Sequence, residues 1–290
     1  MTHLYQQFWT NQIITGQIAK KLGFSGCFWF RSAIETNMAF VTIAAYQFAH
    51  LDQLPEKKVR LKELCFSLGL KGTLLIASEG MNCFLAGERE NILQLKGFFE
   101  EELGLRRLNY KEHFCDSSPF TRMLVKVKKE IISMGDASIS PEVLTASSIA
   151  PQELKAWLDQ NRDIILLDTR NTYEIKCGTF EKAIHLGINS FREITAAAKQ
   201  LPKELKKKTI VMFCTGGIRC EKASAYFMKI GFESVYQLEG GILKYFKECN
   251  NAHYQGNCFV FDWRLALNSH FESRARTLEE PVNAGRHFSL

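Results

Sequence analysis

Short apolar segments and longer amphipathic segments alternate along the first half of this chain. Apolar and β-branched residues predict these strands: 40–48, 72–77, 82–86, 107–113 and 123–127. Helices are predicted at 55–68 and 88–103, and the first of them repeats its apolar residues about every 3.6 positions. The order β-α-β-β-α-β predicts a ferredoxin-like α+β domain, an antiparallel sheet with both helices on one face. The other face is then expected to be open to partners.

In the second half, the apolar runs 164–167 and 209–213 predict buried strands, and 221–230 predicts a helix. Cys214 lies in the glycine-rich turn between the second strand and this helix. Such a turn directs backbone N–H groups towards the cysteine at a helix N-terminus, where an anion is favoured, and Arg219 adds a positive charge. Both effects lower a thiol pKa. The turn therefore predicts a reactive thiolate, with an inert buried thiol as the alternative.

The candidate site follows from this turn. Cys214 is the predicted catalytic residue, and the loop residues predicted to stabilise an anion beside it are Thr215, Gly216, Gly217, Ile218 and Arg219. Asp168 and Arg170 end the strand 164–167 and are predicted to support the loop, Arg170 by binding an anion or by bidentate hydrogen bonds. Cys220 is either a resolving thiol or a packed cysteine. Glu174 is able to pair with an arginine for structural reasons.

The loop 214–219 resembles the active-site loop of the rhodanese superfamily, and so do the segments 168–174, 178–184 and 236–243 in their order along the chain. The resemblance implies a rhodanese-like α/β domain with a central parallel sheet. Cysteine phosphatases need five residues between cysteine and arginine to surround a phosphate, whereas only four separate Cys214 from Arg219. The loop geometry therefore disfavours a phosphatase.

A narrower resemblance covers about residues 38–265. The string 214–226, the post-rhodanese segment 256–264 and several residues of the first domain resemble the bacterial tRNA uridine 5-hydroxylases. Those first-domain residues are Ala77, Glu79, Gly80, Asn82, Gly87, Pro119, Phe120, Arg122, Val125, Lys126, Lys128, Glu130, Ile131 and Gly135. The family usually has glycine where this chain has Cys83, which puts the backbone of an expected turn in question. The tail after Arg264 diverges and lacks the cysteine pairs of longer members.

This resemblance implies hydroxylation at C5 of the wobble uridine (position 34) of tRNA, with the anticodon loop as partner and molecular oxygen as co-substrate. We recognise no flavin, haem or iron motif in the sequence, and therefore expect the base itself to react with oxygen after the Cys214 thiolate adds to C6. The alternative is a persulfide-carrying sulfurtransferase, since a six-residue loop suits sulfane sulfur. A third class is a non-enzymatic RNA-binding protein, for which Cys214 is dispensable.

Positive charge is concentrated late in the first domain. The 290 residues carry a net charge of +6, and the cations of this region are Arg106, Arg107, Lys111, Arg122, Lys126, Lys128 and Lys129. The tRNA-binding residues are predicted to be Arg122, Lys126 and Lys128, because phosphates suit a cationic row. The alternative is an ordinary solvated sheet face.

Nine dispersed cysteines without a CxxC pair predict neither a disulfide framework nor a metal site, and favour the cytoplasm. No apolar run is long enough for a membrane span. The predicted domains are a dispensable extension at 1–37, a ferredoxin-like domain at 38–135, a linker at 136–160, a rhodanese domain at 161–250 and a C-terminal segment at 251–290.

Overall fold

The computed structural model describes residues 40–115, 117–260 and 266–271. The predicted extension 1–37 and the residues Asp262 and Arg264 lie outside the described residues, so the dispensability of the extension stays a prediction. In chain order the strands and helices are β1 (Phe40–Phe48), α1 (Leu54–Ser67), β2 (Lys71–Ala77), β3 (Gly80–Glu88), α2 (Arg89–Glu101), β4 (Lys111–Cys115), β5 (Met123–Val127), β6 (Ser147–Ile149), α3 (Pro151–Asp159), β7 (Ile164–Asp168), α4 (Thr172–Ile175), β8 (Gly178–Phe180), β9 (Ile184–His185), α5 (Ile194–Lys199), β10 (Thr209–Phe213), α6 (Ile218–Lys229), β11 (Ser234–Leu238), α7 (Gly241–Cys249), β12 (Tyr254–Gly256), β13 (Cys258–Phe259) and β14 (Ala266–Leu267).

The first domain is a five-stranded sheet with the order β4-β1-β3-β2-β5, which confirms the predicted α+β fold. The expectation of a wholly antiparallel sheet is wrong at one edge, because β5 runs parallel to β2. Strand β4 begins four residues later than predicted. Residues 106–107 form a turn instead, and there the Arg107 N–H donates to Gln47 Oε1 at 2.9 Å.

Both helices of this domain pack on one sheet face. Leu61 of α1 and Leu95 of α2 are buried with Ile43, Leu74 and Leu85 of the sheet in one apolar core. Apolar side chains on that face stabilise by about 25 cal/mol per Å² removed from water.

The opposite sheet face is not open at its centre, because the second domain lies against it. Ala77, Ile131 and Ile218 form a small apolar cluster between the domains. Ile218 comes from the first turn after the cysteine loop, so the docked sheet reaches the candidate site.

Cys83 lies within β3, opposite Ala45 of β1 and Leu74 of β2. The turn between β2 and β3 lies at residues 78–79, ahead of Cys83, and β3 continues from Gly80 to Glu88. The Cys83 side chain is fully buried in the core under the two helices. A thiol fits there because the strand runs straight through the position and needs no glycine.

The second domain has a central sheet with the order β6-β11-β10-β7-β9. Every neighbouring pair in this sheet is parallel, which confirms the predicted α/β class. The segment 136–160, predicted as a linker, supplies β6 and α3 to this domain. We therefore propose a domain boundary before Ser147.

An ion cluster joins the two domains. Lys222 of α6 is 1% exposed, and its Nζ lies 2.8 Å from Glu79 Oε2 and 2.7 Å from Glu130 Oε2. It also donates to the Ile132 carbonyl at 3.1 Å. A buried ammonium is costly unless it is paired in this way, so the cluster fixes how helix α6 meets the first domain.

Candidate active site

Cys214 follows β10, the central strand of the parallel sheet, and the loop 214–217 connects it to α6. Two backbone bonds from the first turn of α7 hold this loop in place. The Ile242 N–H donates to the Cys214 carbonyl at 2.9 Å, and the Leu243 N–H donates to the Thr215 carbonyl at 3.2 Å. The carboxyl end of the sheet and two helix N-termini therefore converge on the cysteine, of which the sequence pattern predicted the N-terminus of α6 and not that of α7.

The Cys214 thiol is fully buried. Its Sγ accepts the Gly217 N–H at 3.0 Å. Burial raises the pKa of Cys214, but a hydrogen bond from Cys220, the charge of Arg219 and the backbone N–H groups of Gly217 and Arg219 together hold that pKa well below its ordinary value. Burial and the Cys214 thiolate raise the pKa of Cys220 well above its ordinary value. These shifts favour the thiolate at Cys214 and the proton on Cys220.

Two positions at the cysteine loop require glycine. Gly217 is the last residue of the loop, and Gly241, the first residue of α7, packs against the loop backbone. Gly217 has φ of 103°, and a Cβ there would lie 2.9 Å from the hydroxyl of Tyr46. Gly241 has φ of 67°, and a Cβ there would lie 2.5 Å from the Cys214 carbonyl oxygen. Any other residue at either position combines a left-handed backbone with a steric clash.

Arg219 is paired with Glu174 inside the domain. The Arg219 Nη1 and Nη2 atoms lie 2.5 Å and 2.8 Å from the two carboxylate oxygens of Glu174, which is completely buried. Its Nη2 also donates to Thr215 Oγ1 at 3.5 Å. The guanidinium therefore stabilises the loop, and it acts on the Cys214 thiol through charge and backbone.

Asp168 and Arg170 form a second buried pair. Arg170 donates from Nε to Asp168 Oδ1 at 2.9 Å and from Nη2 to Asp168 Oδ2 at 2.7 Å. Arg170 Nη2 also reaches the Gly178 carbonyl at 2.7 Å, and Thr179 donates to Asp168 at 2.8 Å. These contacts tie the end of β7 to β8 and not to the loop 214–219, so support of that loop by Asp168 and Arg170 stays a prediction.

A cleft of about 610 Å³ lies between the two domains. Tyr46, Arg106, Arg107 and Lys111 line it from the first domain, and Gly217 and Glu221 are among its residues from the second. Its volume is in the range of sites for single small molecules. The cleft reaches the cysteine loop at Gly217.

Tyr46 and Glu221 connect the two walls of the cleft. The Tyr46 hydroxyl donates to Glu221 Oε1 at 3.3 Å, while Thr145 and Gln237 donate to Glu221 Oε2 at 2.8 Å and 3.2 Å. Burial, followed by the Glu221 carboxylate, raises the pKa of Tyr46. Tyr46 therefore stays protonated and acts as a donor across the domain boundary.

The predicted tRNA-binding residues lie elsewhere. Arg122 immediately precedes β5, Lys126 lies within it and Lys128 directly follows it, at the sheet edge opposite β4. Lys126 shares a sheet face with Leu75, its partner on β2, and is exposed, whereas Lys128 is half-buried. None of the three lines the cleft, so their role stays a prediction.

Sequence analysis did not place Tyr46, Lys111 and Glu221 at the site. Lys111 was recognised only as one of the cations of the first domain, and Glu221 only as part of the string 214–226. A glutamate in the first turn of α6 was the one available signal, because acidic residues are favoured there. Contacts between domains leave no pattern in the local sequence.

Within the described ranges, no group of three His, Cys, Asp or Glu side chains is arranged to hold a metal ion. No helix in that part of the chain is both long enough and apolar enough to span a bilayer.

Comparison with known families matches both domains. Residues 40–131 match the model of the UPF0176 acylphosphatase like domain, and residues 150–248 match that of the rhodanese-like domain. The rhodanese-like match begins at residue 150, within the segment 136–160 that was predicted as a linker.

Individual relatives match over most of the chain. A tRNA uridine(34) hydroxylase of Cupriavidus metallidurans is 47% identical over 240 residues, which are 81% of this chain and 85% of that protein. One of Burkholderia mallei is 47% identical over 242 residues, which are 80% of each chain. Among solved structures, a protein of Bacillus halodurans is 28% identical with a TM-score of 0.31, over 38% of this chain and 77% of that chain. The two matches to hydroxylases exceed the length of either domain alone.

Proposed function

Because the chain belongs to the tRNA uridine(34) hydroxylase family, we propose that it hydroxylates C5 of the wobble uridine of tRNA with Cys214 as nucleophile. The observation that carries the proposal is the state of the Cys214 thiol. Hydrogen bonds and the charge of Arg219 overcome burial and keep the pKa of Cys214 low. A thiolate is the nucleophile that addition to a pyrimidine ring requires.

The first step is addition of the Cys214 thiolate to C6 of the uracil. The S–C6 bond forms, and the electron pair of the C5–C6 double bond moves to C5 and O4 as an enolate. The enolate then bonds to molecular oxygen at C5 and takes up one proton, which gives a hydroperoxide. Loss of the proton on C5 expels the Cys214 thiolate and restores the ring double bond.

The hydroperoxide must then be reduced. Two electrons and two protons convert it to the C5 hydroxyl and one water, and we propose a thiol as the class of reductant that supplies them. Cys220 lies beside Cys214 and carries a proton, because burial and the Cys214 thiolate raise the pKa of Cys220. Its position suits a resolving thiol, with the resulting disulfide reduced by a thiol from solution.

Anticodon-loop binding is part of the same proposal. The cleft is large enough for a single base, and the exposed Arg106 and Arg107 at its wall suit phosphates. A reactive thiolate needs reducing surroundings, for which we propose the cytoplasm.

A sulfurtransferase remains the second candidate, because residues 150–248 match the rhodanese-like domain and the loop from Cys214 to Arg219 has six residues. In that reaction the Cys214 thiolate takes a sulfane sulfur from a donor and passes it to an acceptor. Transfer from thiosulfate to cyanide measures this activity directly. Sulfur transfer from thiosulfate to cyanide, without hydroxylation of tRNA, favours the sulfurtransferase.

The experiment that tests the proposal is mass spectrometry of nucleosides from tRNA incubated with the purified full chain, a thiol reductant and air. We expect 5-hydroxyuridine with the wild type and with Cys115→Ser, a matched control in β4 of the first domain. We expect none with Cys214→Ser, and none with the wild type under nitrogen. Product formed equally by Cys214→Ser, or equally without oxygen, contradicts the proposal.

A further inference from the structure

Lys111 extends from the first domain to the cysteine loop of the second. It opens β4, opposite Ala44 of β1. Its Nζ lies 3.8 Å from the position that a Cβ on Gly216 would occupy, and 5.4 Å from the centre of the Tyr46 ring. One ammonium group is thus held beside the loop that carries Cys214, on the floor of the cleft between the domains.

This ammonium forms no ion pair with any residue that the structure describes. Glu221, an acid on the second-domain wall of the cleft, already accepts hydrogen bonds from Tyr46, Thr145 and Gln237. Burial lowers the pKa of Lys111, and Lys244 lowers it further, whereas Cys214 and Glu221 act in the opposite direction. A half-buried cation without a carboxylate is costly, and such groups in clefts are candidates for function.

The other cations near the loop are unsuited to a charge on the reacting base. Arg219 is held inside the domain by Glu174 and Thr215. Arg106 and Arg107 are exposed at the cleft wall, where phosphates of a nucleic acid are accessible. A base entering from the cleft meets Tyr46 and Lys111 next to the loop, so Lys111 is the cation placed to contact the ring.

We propose that Lys111 is a catalytic residue that binds O4 of the target uracil and stabilises the negative charge that develops there. This inference rests on the proposed function. In the step concerned, the S–C6 bond forms and the electron pair of the C5–C6 double bond moves to C5 and O4. The Lys111 ammonium donates a hydrogen bond to O4 throughout and transfers no proton, so the step is balanced without a further reactant.

A phosphate contact is the competing role, and it predicts different kinetics. Phosphate contacts give affinity and act on ground state and transition state alike, so their loss raises KM. A contact to O4 strengthens as the enolate forms, so its loss lowers kcat. Removal of one donor to a developing oxyanion costs about 100-fold or more in kcat.

The test compares wild type, Lys111→Met, Lys111→Arg and Arg107→Gln by steady-state hydroxylation of tRNA, with thermal melting as the check on folding. We expect Lys111→Met to lose about 100-fold in kcat with nearly unchanged KM. Lys111→Arg is expected to recover part of that loss, because it keeps a donor. Arg107→Gln is expected to raise KM and to keep kcat. If Lys111→Met does not fold, Lys111→Leu takes its place, because it also lacks a donor.

A second measurement follows the addition step without the reduction step. In air, an anticodon stem–loop RNA with 5-fluorouridine at the wobble position is trapped as the S–C6 adduct once oxygen has bonded to C5, since C5 then carries no proton to lose and fluorine does not leave as a cation. We expect Lys111→Met to form this adduct about 100-fold more slowly than wild type. Equal adduct rates, or a defect confined to KM, overturn the role of Lys111. Absence of product and adduct with wild type contradicts the proposed function itself.

Discussion

Cys83 in the first domain and Cys214 in the second are both completely buried. Their pKa values nevertheless shift from the ordinary thiol value in opposite directions. Burial raises the pKa of Cys83 to about 12. Burial acts on Cys214 in the same sense, but there the Cys220 thiol, the charge of Arg219 and two backbone N–H groups overcome it and lower the pKa. The difference lies in the neighbouring thiol and the positive charge beside Cys214, together with its two backbone N–H groups, whereas Cys83 has one backbone hydrogen bond and no cation that lowers its pKa.

Cys83 is in the middle of an antiparallel sheet, where the neighbouring strands β1 and β2 pair with its own strand on both sides. Cys214 follows the last residue of β10, where the loop turns and the Gly217 N–H is directed at Sγ. A buried thiol is therefore inert by default, and at Cys214 the neighbouring thiol, the Arg219 charge and the N–H groups of a strand-to-helix turn together lower the pKa.

The largest expected effect separates these two thiols. Cys214→Ser should abolish 5-hydroxyuridine formation, because a hydroxyl is not ionised at neutral pH, whereas Cys83→Ala should keep kcat and lose about 1 kcal/mol of unfolding free energy through the small cavity. Nucleoside mass spectrometry and denaturant unfolding measure the two quantities. Loss of hydroxylation activity in Cys83→Ala under conditions where that variant is fully folded would contradict the assigned difference between the two thiols.

The next effect concerns the buried pair that supports the loop. Arg219→Met leaves Glu174 buried and unpaired, and Glu174→Gln leaves Arg219 without its carboxylate, so each should cost roughly 3 kcal/mol or more of unfolding free energy. The two variants differ in their expected effect on the pKa of the Cys214 thiol. Arg219→Met should raise the pKa of Cys214, whereas Glu174→Gln keeps the positive charge and should leave that pKa low. Equal acidity of the thiol in both variants contradicts the assigned role of Arg219.

A smaller effect is expected from the neighbouring thiol. Cys220→Ala removes the hydrogen bond that lowers the pKa of Cys214, so the acid limb of the activity profile should move to higher pH. At pH values below the raised pKa, the variant has less Cys214 thiolate than the wild type. The difference is about tenfold at acidic pH if the pKa rises by about one, and it disappears at pH values above the raised pKa. The measurement is the pH dependence of the adduct rate with the fluorinated RNA, which needs no reductant. An unmoved profile assigns the low pKa to the loop backbone and Arg219.

The smallest effect tests the predicted tRNA-binding edge. Charge reversal in the double variant Lys126→Glu, Lys128→Glu should weaken tRNA binding and reduce the slope of log affinity against log salt by roughly one for each lost phosphate contact. The thiolate titration of Cys214 should not change, because β5 lies at the sheet edge opposite β4. An unchanged slope leaves these lysines as a solvated face and directs attention to Arg106 and Arg107.

The local pattern was sufficient for most of the fold and for the position of Cys214 between a strand and a helix. Strands β1, β5, β7 and β10 follow from apolar runs, and Cys214 follows from a glycine-bearing turn between a strand and a helix. Such features are encoded within about ten residues, which is the length that periodicity covers. Helix α6 begins at Ile218 instead of 221, because Gly217 ends the loop with a positive φ that a pattern does not reveal.

Long-range contacts were not predictable in the same way. The pairing of Arg219 with Glu174 joins residues 45 apart in the chain, and the bond from Tyr46 to Glu221 joins residues 175 apart. The position of Lys111 beside Gly216 depends on how the domains dock. The parallel direction of β5 was missed, although the strand itself was predicted, because that direction is set by the connection from β4 and not by its own residues.

The central claim is that the loop keeps Cys214 as a thiolate despite complete burial. The most direct test is a titration of the ultraviolet thiolate absorbance of the folded protein, taken as wild type minus Cys214→Ser. We predict a midpoint well below the ordinary thiol value of about 8.5. A midpoint at or above that value, as burial alone produces for Cys83, contradicts the claim.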